Sequence, residues 1–303
     1  MSLSKNKYFT YLSEKTRPVL SIAQDGNVVS FSELRNAYLP NVVNNYSIKL
    51  TLNGVENYRI NKNEYRVPEM CFLTASGPCD SVGFFESKSV VTGLCIDVSM
   101  ELINEALTLL STNGNLDLEN NLDGYFKSAN FFESVFPFSY SELGTKLLSI
   151  AEKIKTVEQD LSFINEELFL DLAESVIRHE LENMRKMSSI SSLKLSTKKE
   201  ILKRLLNGRN FIEENFKENI NVKEIARLSC LSEFHFFRSF KEAFGVSPYN
   251  YLIKRRLMEA RKQLQKNNSL IGEIAVKCGF ADIHSFSKSY KKYFGYSPSN
   301  TSI

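Results

Sequence analysis

Two hydrophobic periods divide the chain. From about residue 18 to 98, apolar residues alternate with polar ones, the period of half-buried strands. Tyr46-Ser47-Ile48-Lys49-Leu50-Thr51-Leu52 runs into the turn pair Asn53-Gly54. Residues 56–60 and 64–67 alternate around Asn61-Lys62-Asn63, and residues 68–73 and 90–98 complete a meander of short strands. Beyond 98 the period lengthens to that of helices. Leu143, Leu147, Ile150, Ile154, Val157, Leu161, Ile164 and Leu168 recur at alternating four and three, a heptad seam that Leu172 and Val176 extend. Such a seam packs either on the chain's own strands or on a second copy. Residues 187–197 hold five serines and a threonine and read as a linker.

From 198 onward one unit is written twice. Ile225-Ala226, Leu231-Ser232, Phe236, Arg238, Phe240-Lys241, Phe244-Gly245 and Ser247-Pro248 are matched by Ile274-Ala275, Phe280-Ala281-Asp282, Phe286, Lys288, Tyr290-Lys291, Phe294-Gly295 and Ser297-Pro298. The later residues match at a spacing of 50 and the earlier ones at 49, so the second copy carries one extra turn residue.

Local signals place the elements. A helix from about Lys198 to Phe216 is anchored by Ile201, Leu205, Phe211 and Ile212. Asn221 and Glu224 stand at capping-box spacing ahead of a short helix. Cys230-Leu231 makes the turn. Ser232 caps the next helix, whose Phe236, Phe240 and Phe244 form one inner face. Gly245 closes it, and Ser247-Pro248 opens a helix to about Gln265. Its 18 residues span ~27 Å, close to the ~34 Å between major-groove faces one turn apart. In the second copy Gly279-Phe280-Ala281 turns the chain and Asp282 caps the helix carrying Phe286, Tyr290 and Phe294. Leu270 stands where a small capping residue is expected, which leaves Ser269 as the cap.

The inner faces determine the outer ones. Glu233, Phe234, Phe237 and Arg238 face outward in the first copy, and Ile283, His284, Ser287 and Lys288 in the second. A recognition helix meets base edges with such positions. Arg238 suits guanine O6/N7 or a phosphate, and Phe234 and Phe237 suit thymine methyls unless one of them completes the core. Ser232, His235, Lys241, Arg255, Arg256 and Lys291 are candidate phosphate contacts. Neither His235 nor His284 has Cys or His neighbours at zinc spacing, so no metal is expected.

Charge sharpens the division. Of 303 residues with net charge +3, residues 198–303 carry a net +10 and residues 1–197 a net −7. The basic part is drawn to polyanions and the acidic part is not. No apolar run approaches 18 residues and the start lacks an apolar leader, so a cytoplasmic protein without membrane contact is expected. Five cysteines without CxxC pairing read as free thiols.

Residues 198–303 resemble the DNA-binding domain of the AraC/XylS family of bacterial transcription regulators. The residues that carry the resemblance are Ile225-Ala226, 230–241, 244–248, Tyr251-Leu252, Arg256-Leu257 with Ala260, then Ile274-Ala275, Gly279-Phe280, 285–288 and 294–298. Tyr290 and Lys288 stand where Phe and Arg are commoner, and Thr301 occupies the position of Tyr251. The resemblance implies an α+β chain in three parts. Residues 1–186 would hold a cupin-like β-barrel (about 18–98) with a helical dimerisation segment (about 99–186). A linker at 187–197 follows, then an all-α domain of two helix-turn-helix units joined by a long helix. It also implies a homodimeric activator that binds double-stranded DNA, meets RNA polymerase and responds to a small-molecule effector.

The strand region has its own candidates and exclusions. Tyr46, Tyr58, Arg59, Tyr65, Arg66 and Phe72 are candidate lining for an effector pocket. Catalytic cupins hold a metal with several histidines, whereas His179, in a helical stretch, is the only histidine before 198. No enzyme and no cofactor are expected. Two alternatives stay open: a regulator controlled by a protein partner, and an enzymatic barrel with a DNA-binding tail.

Overall fold

The computed structural model describes residues 6–14, 26–112, 125–126, 131–156, 160–192, 194–266 and 270–301. Two of the sequence expectations, Val157 in the heptad seam and Ser269 as a cap, lie outside the described residues, as does the start of the expected barrel at 18. The chain divides into two compact units, Met1–Asn183 and Met184–Ile303. The first combines a sheet with helices and the second is helical, an α+β architecture.

The sheet of the first unit has eight strands: β1 (Phe9–Ser13), β2 (Val28–Val43), β3 (Tyr46–Asn53), β4 (Val55–Ile60), β5 (Asn63–Pro68), β6 (Cys71–Ser76), β7 (Cys79–Val98) and β8 (Ser134–Pro137). They lie in the order β1-β2-β7-β3-β6-β8, with β4 paired to both β7 and β5. All pairs are antiparallel except β1 with β2. The long strand β7 serves twice. Its second half lies between β2 and β3, and its first half between β2 and β4. Register breaks at Leu34/Asn36 and at Thr51/Asn53 mark where the ladders bend.

Strand β3 departs from the half-buried reading. Tyr46, Ile48, Leu50 and Leu52 are buried on one face, and Ser47, Lys49 and Thr51 are buried on the other. The apolar face meets aromatic and helical side chains: the Tyr46 ring sits edge-on to Phe126 and Phe131, and its hydroxyl donates to Glu180 at 2.7 Å. Glu180 also accepts from Tyr125, and burial pushes its carboxyl up to about 7 against those hydrogen bonds.

The helices of this unit are α1 (Met100–Thr112), α2 (Glu142–Thr156) and most of α3 (Glu166–Ser189). The heptad seam is not one helix. Helix α2 stops at Thr156, and the Asn165 side chain accepts the Leu168 N–H at 3.0 Å, capping a new start. Leu143, Leu147 and Ile150 are buried on α2, and Leu161 and Ile164 in the connection. On α3 the buried stripe is Phe169, Leu172, Ala173, Val176 and Ile177, with Leu168 off it. Among the described seam residues, Leu143, Leu147, Ile150, Leu161 and Ile164 therefore fill the chain's own core, with Ile154 and Leu168 half-buried.

The serine-rich linker is also shorter than expected. Helix α3 runs through the unit boundary to Ser189, Met187 and Ile190 are buried, and the next helix starts at Leu195. Apolar burial outweighs the loop-like composition there. The second unit then follows as α4 (Leu195–Asn215), α5 (Val222–Leu228), α6 (Glu233–Phe244), α7 (Pro248–Lys266), α8 (Ile271–Lys277) and α9 (Ile283–Phe294). Leu257 and Ala260 of α7 pack with Ile274, Ala275, Cys278, Phe280, Phe286 and Tyr290 in one core cluster.

Candidate nucleic-acid interface

Helices α5 and α6 form one helix-turn-helix, and α8 and α9 a second. Asn221 accepts the Glu224 N–H at 2.9 Å to start α5. Leu231 N–H returns to Ala226 O at 3.0 Å across the turn, and Phe280 N–H returns to Ala275 O at the same distance. The turns thus match at a spacing of 49. The caps match at 50: Ser232 accepts the His235 N–H, and Asp282 accepts the Ser285 N–H. The extra residue of the second copy is therefore Ala281. Hydrogen bonds from Ser285 hold the Asp282 carboxyl below the usual carboxylate range. Leu270 precedes α8 without a side-chain cap.

The turn residues differ in kind. Cys230 takes a positive φ of 51° and Gly279 one of 84°. Gly279 is hemmed in: a Cβ there would lie 2.7 Å from Lys217 O and 2.9 Å from Arg256 Nε. Arg256 is buried and donates to Phe216 O at 2.6 Å and Glu218 O at 2.7 Å, which ties the end of α4 to α7. This corrects its assignment as a phosphate contact, because its donors close a corner of the core. Arg255 is corrected likewise. It pairs with Glu213 at 2.8 Å and with Glu259, and its guanidinium lies 4.0 Å from the centre of the Phe216 ring.

With Phe236 and Phe240 fully buried, the opposite face of α6 is presented to solvent. Phe234 is 78% exposed and Phe237 44%, so neither completes the core. Glu233, Arg238, His235 and Lys241 are exposed. On α9, Ile283 is 50% exposed, His284 and Lys288 are exposed, Ser287 is half-buried, and Lys291 is exposed. Arg238 is held by Glu242, Nε to Oε1 3.0 Å. Glu242 in turn accepts the N–H and hydroxyl of Ser191. Burial opposes its ionisation, but Ser191 and Arg238 outweigh it and hold the carboxyl below the usual range. A shallow groove beside the start of α6 is lined by Ser196, Thr197, Arg204, Cys230, Ser232 and His235. Ser196 and Thr197 had been read only as linker.

Most of the residues picked as effector lining lie elsewhere in the first unit. Tyr46 and Phe72 are fully buried in the core; Phe72 stacks on Phe138. Arg59 is at the surface, paired with Glu64 at 2.8 Å. Tyr65 donates to Glu133 and packs on the Val67–Leu73 cluster. Tyr58 alone lines the cavity that the sheet does contain, of about 80 Å³, with Lys49, Glu56, Cys95 and Asp97. Strand alternation alone puts Lys49 on the polar face, away from Ile48 and Leu50, yet it is buried. Burial works against its charge, but Cys95, Asp97, Cys79 and Glu56 outweigh that and keep it an ammonium. Glu56 accepts from Thr51 and Tyr58, and burial pushes its carboxyl up to about 7. Gly93 leaves Glu56 its space, since a Cβ there would meet Oε1 at 2.3 Å. Among the described residues no group of three or more His, Cys, Asp or Glu is arranged to hold a metal, and no helix is long and apolar enough to cross a membrane.

Two helix-turn-helix units, each with an exposed outer helix face, define a tandem DNA-binding domain. A family model described as a helix-turn-helix domain matches residues 225–302. The chain is 22% identical over 221 residues to the probable transcriptional regulator LumQ of Photobacterium leiognathi, covering 70% of this chain and 88% of LumQ. It is 26% identical to the transcriptional activator RhaS of Mannheimia succiniciproducens, covering 63% of this chain and 66% of RhaS. A solved AraC-type regulator structure from Chromobacterium violaceum is 30% identical, covering 32% of this chain and 88% of that one, with a TM-score of 0.31. The chain belongs to the AraC/XylS family of transcription regulators, whose members here are regulators and not enzymes.

Proposed function

We propose that the chain is a sequence-specific, effector-responsive activator of transcription that binds double-stranded DNA in the cytoplasm. The observation that carries this reading is the pair of unlike outward faces on two like scaffolds. Glu233, Phe234, Phe237 and Arg238 read one major-groove segment, and Ile283, His284, Ser287 and Lys288 read another. Helix α7, 19 residues long, spans ~28 Å and spaces the two readers by about one turn of DNA. Ser232, His235, Lys241 and Lys291 bind phosphates and set the register, with the groove at Ser196 and Thr197 following the backbone.

Activation is supported by the description of RhaS as an activator. Contact with RNA polymerase, a homodimer, and a cupin-like closure of the sheet around a small-molecule effector belong to the same reading. The test is fluorescence anisotropy of the full chain on DNA selected from a random pool. Affinity falls steeply as salt rises, because phosphate binding releases counterions. Affinity independent of salt, or equal for selected and scrambled DNA, overturns it.

A further inference from the structure

One face of the sheet is polar and yet enclosed: Ser30 on β2, Ser47, Lys49 and Thr51 on β3, and Cys95 on β7 come together by register. Lys49 and Glu56 are each 4% exposed and share one cavity. Neither forms an ion pair, although Glu56 accepts from Thr51 and Tyr58. Lys49 Nζ has the Cys95 sulfur at 3.8 Å and lies 5.1 Å from the centre of the Tyr58 ring, and among the described residues no carboxylate oxygen lies within 4.0 Å of it. The same thiol faces Asp97 Oδ1 at 3.9 Å. An ammonium and two carboxyl groups thus line one space without an ion pair between them, and a buried ammonium without a close counter-charge is costly. A ligand that supplies one charge satisfies one side only. A ligand carrying both satisfies each.

We infer that this cavity binds a small zwitterion, an amino acid with few side-chain atoms, its carboxylate on Lys49 and its ammonium toward Asp97 and Glu56. The volume agrees. About 80 Å³ holds roughly half a dozen waters, room for a compact ligand. The rest of the wall suits both ends of such a molecule, with Ser32 and Ser81 as hydroxyls and Leu34, Leu39 and Phe85 as apolar surface. The inference rests on the effector-responsive reading above and names the effector's class.

The test uses the full chain. Thermal unfolding is followed with millimolar L-alanine and L-serine, and with propionate, propylamine and D-ribose as probes of one charge or none. The amino acids raise the midpoint by a few degrees and the other three do not. Titration calorimetry of Lys49→Met and Asp97→Asn shows at least a tenfold loss of amino-acid affinity in each; Asp97→Asn, at the half-buried edge, keeps the test decisive if Lys49→Met does not fold. No rise with either amino acid, an equal rise with propionate or propylamine, or undiminished affinity in the variants overturns the inference. Anisotropy on selected DNA without added ligand separates the two failures: intact DNA binding leaves the regulator reading standing when the amino-acid test fails.

Discussion

The two helix-turn-helix copies share their buried residues and little else. Phe236 and Phe286 occupy the same place, as do Ala226 and Ala275, and all four are buried. Where the copies differ inside, the differences compensate. In the first, Phe240 meets the edge of Tyr251, whose hydroxyl joins Arg209 and Glu213. In the second, Tyr290 replaces Phe240 and Thr301 replaces Tyr251, and the hydroxyl passes to the other partner, bonding at 2.7 Å. Outside, Phe234, Phe237 and Arg238 stand against His284, Ser287 and Lys288. Packing constrains one face of each helix and leaves the other exposed and free to differ.

The sharpest break in the comparison is at the turns. Gly279→Ala places a Cβ against Lys217 O and Phe216 O at a positive φ and should destabilise the second unit by about 3 kcal/mol. Cys230→Ala, already at a positive φ in open surroundings, should stay within about 0.5 kcal/mol. Urea unfolding of both variants decides; equal effects would mean that the turns are equivalent after all.

The next difference is read on DNA. Arg238→Ala should weaken binding by about 2 kcal/mol, roughly thirtyfold, with the loss concentrated on one half of the selected site. Lys288→Ala should act on the other half. If both variants lose discrimination at the same bases, the two copies do not read separate segments.

Smaller effects probe the compensation. Tyr290→Phe removes the hydroxyl that Thr301 bonds and should cost about 1 kcal/mol. A double-mutant cycle with Thr301→Ala should return most of that as coupling. A small gain is expected from Cys230→Gly, about 0.5 kcal/mol, as the positive φ is relieved against glycine's extra chain entropy. A loss there would show that the Cys230 side chain contributes packing.

Much of the second unit was legible in the sequence. The caps at Asn221, Ser232 and Asp282 and the helix-ending Gly245 and Gly295 lie where the local pattern puts them. The first unit was legible only as strands followed by helices. Its heptad pattern continued through Val157 and Leu161, but a carboxamide cap at Asn165 restarts the helix, and periodicity alone does not register that. Arg256 looked like a surface cation because sequence shows its charge and not the Phe216 and Glu218 carbonyls that use it.

By itself, the sequence determined the tandem scaffold, its caps and the split between inner and outer faces. These depend on hydrogen bonds and spacings within a few residues, which the order of residues states directly. Only the tertiary structure decided that Lys49 and Glu56 are enclosed, that Leu143, Leu147, Ile150, Leu161 and Ile164 of the seam are buried in the chain's own core, and that Tyr46 and Phe72 belong to that core. Alternation says that Lys49 lies opposite Ile48 and Leu50 on the strand. Whether that opposite face meets water or a second layer of chain depends on strands far apart in sequence, brought together by the bend of β2 and β7.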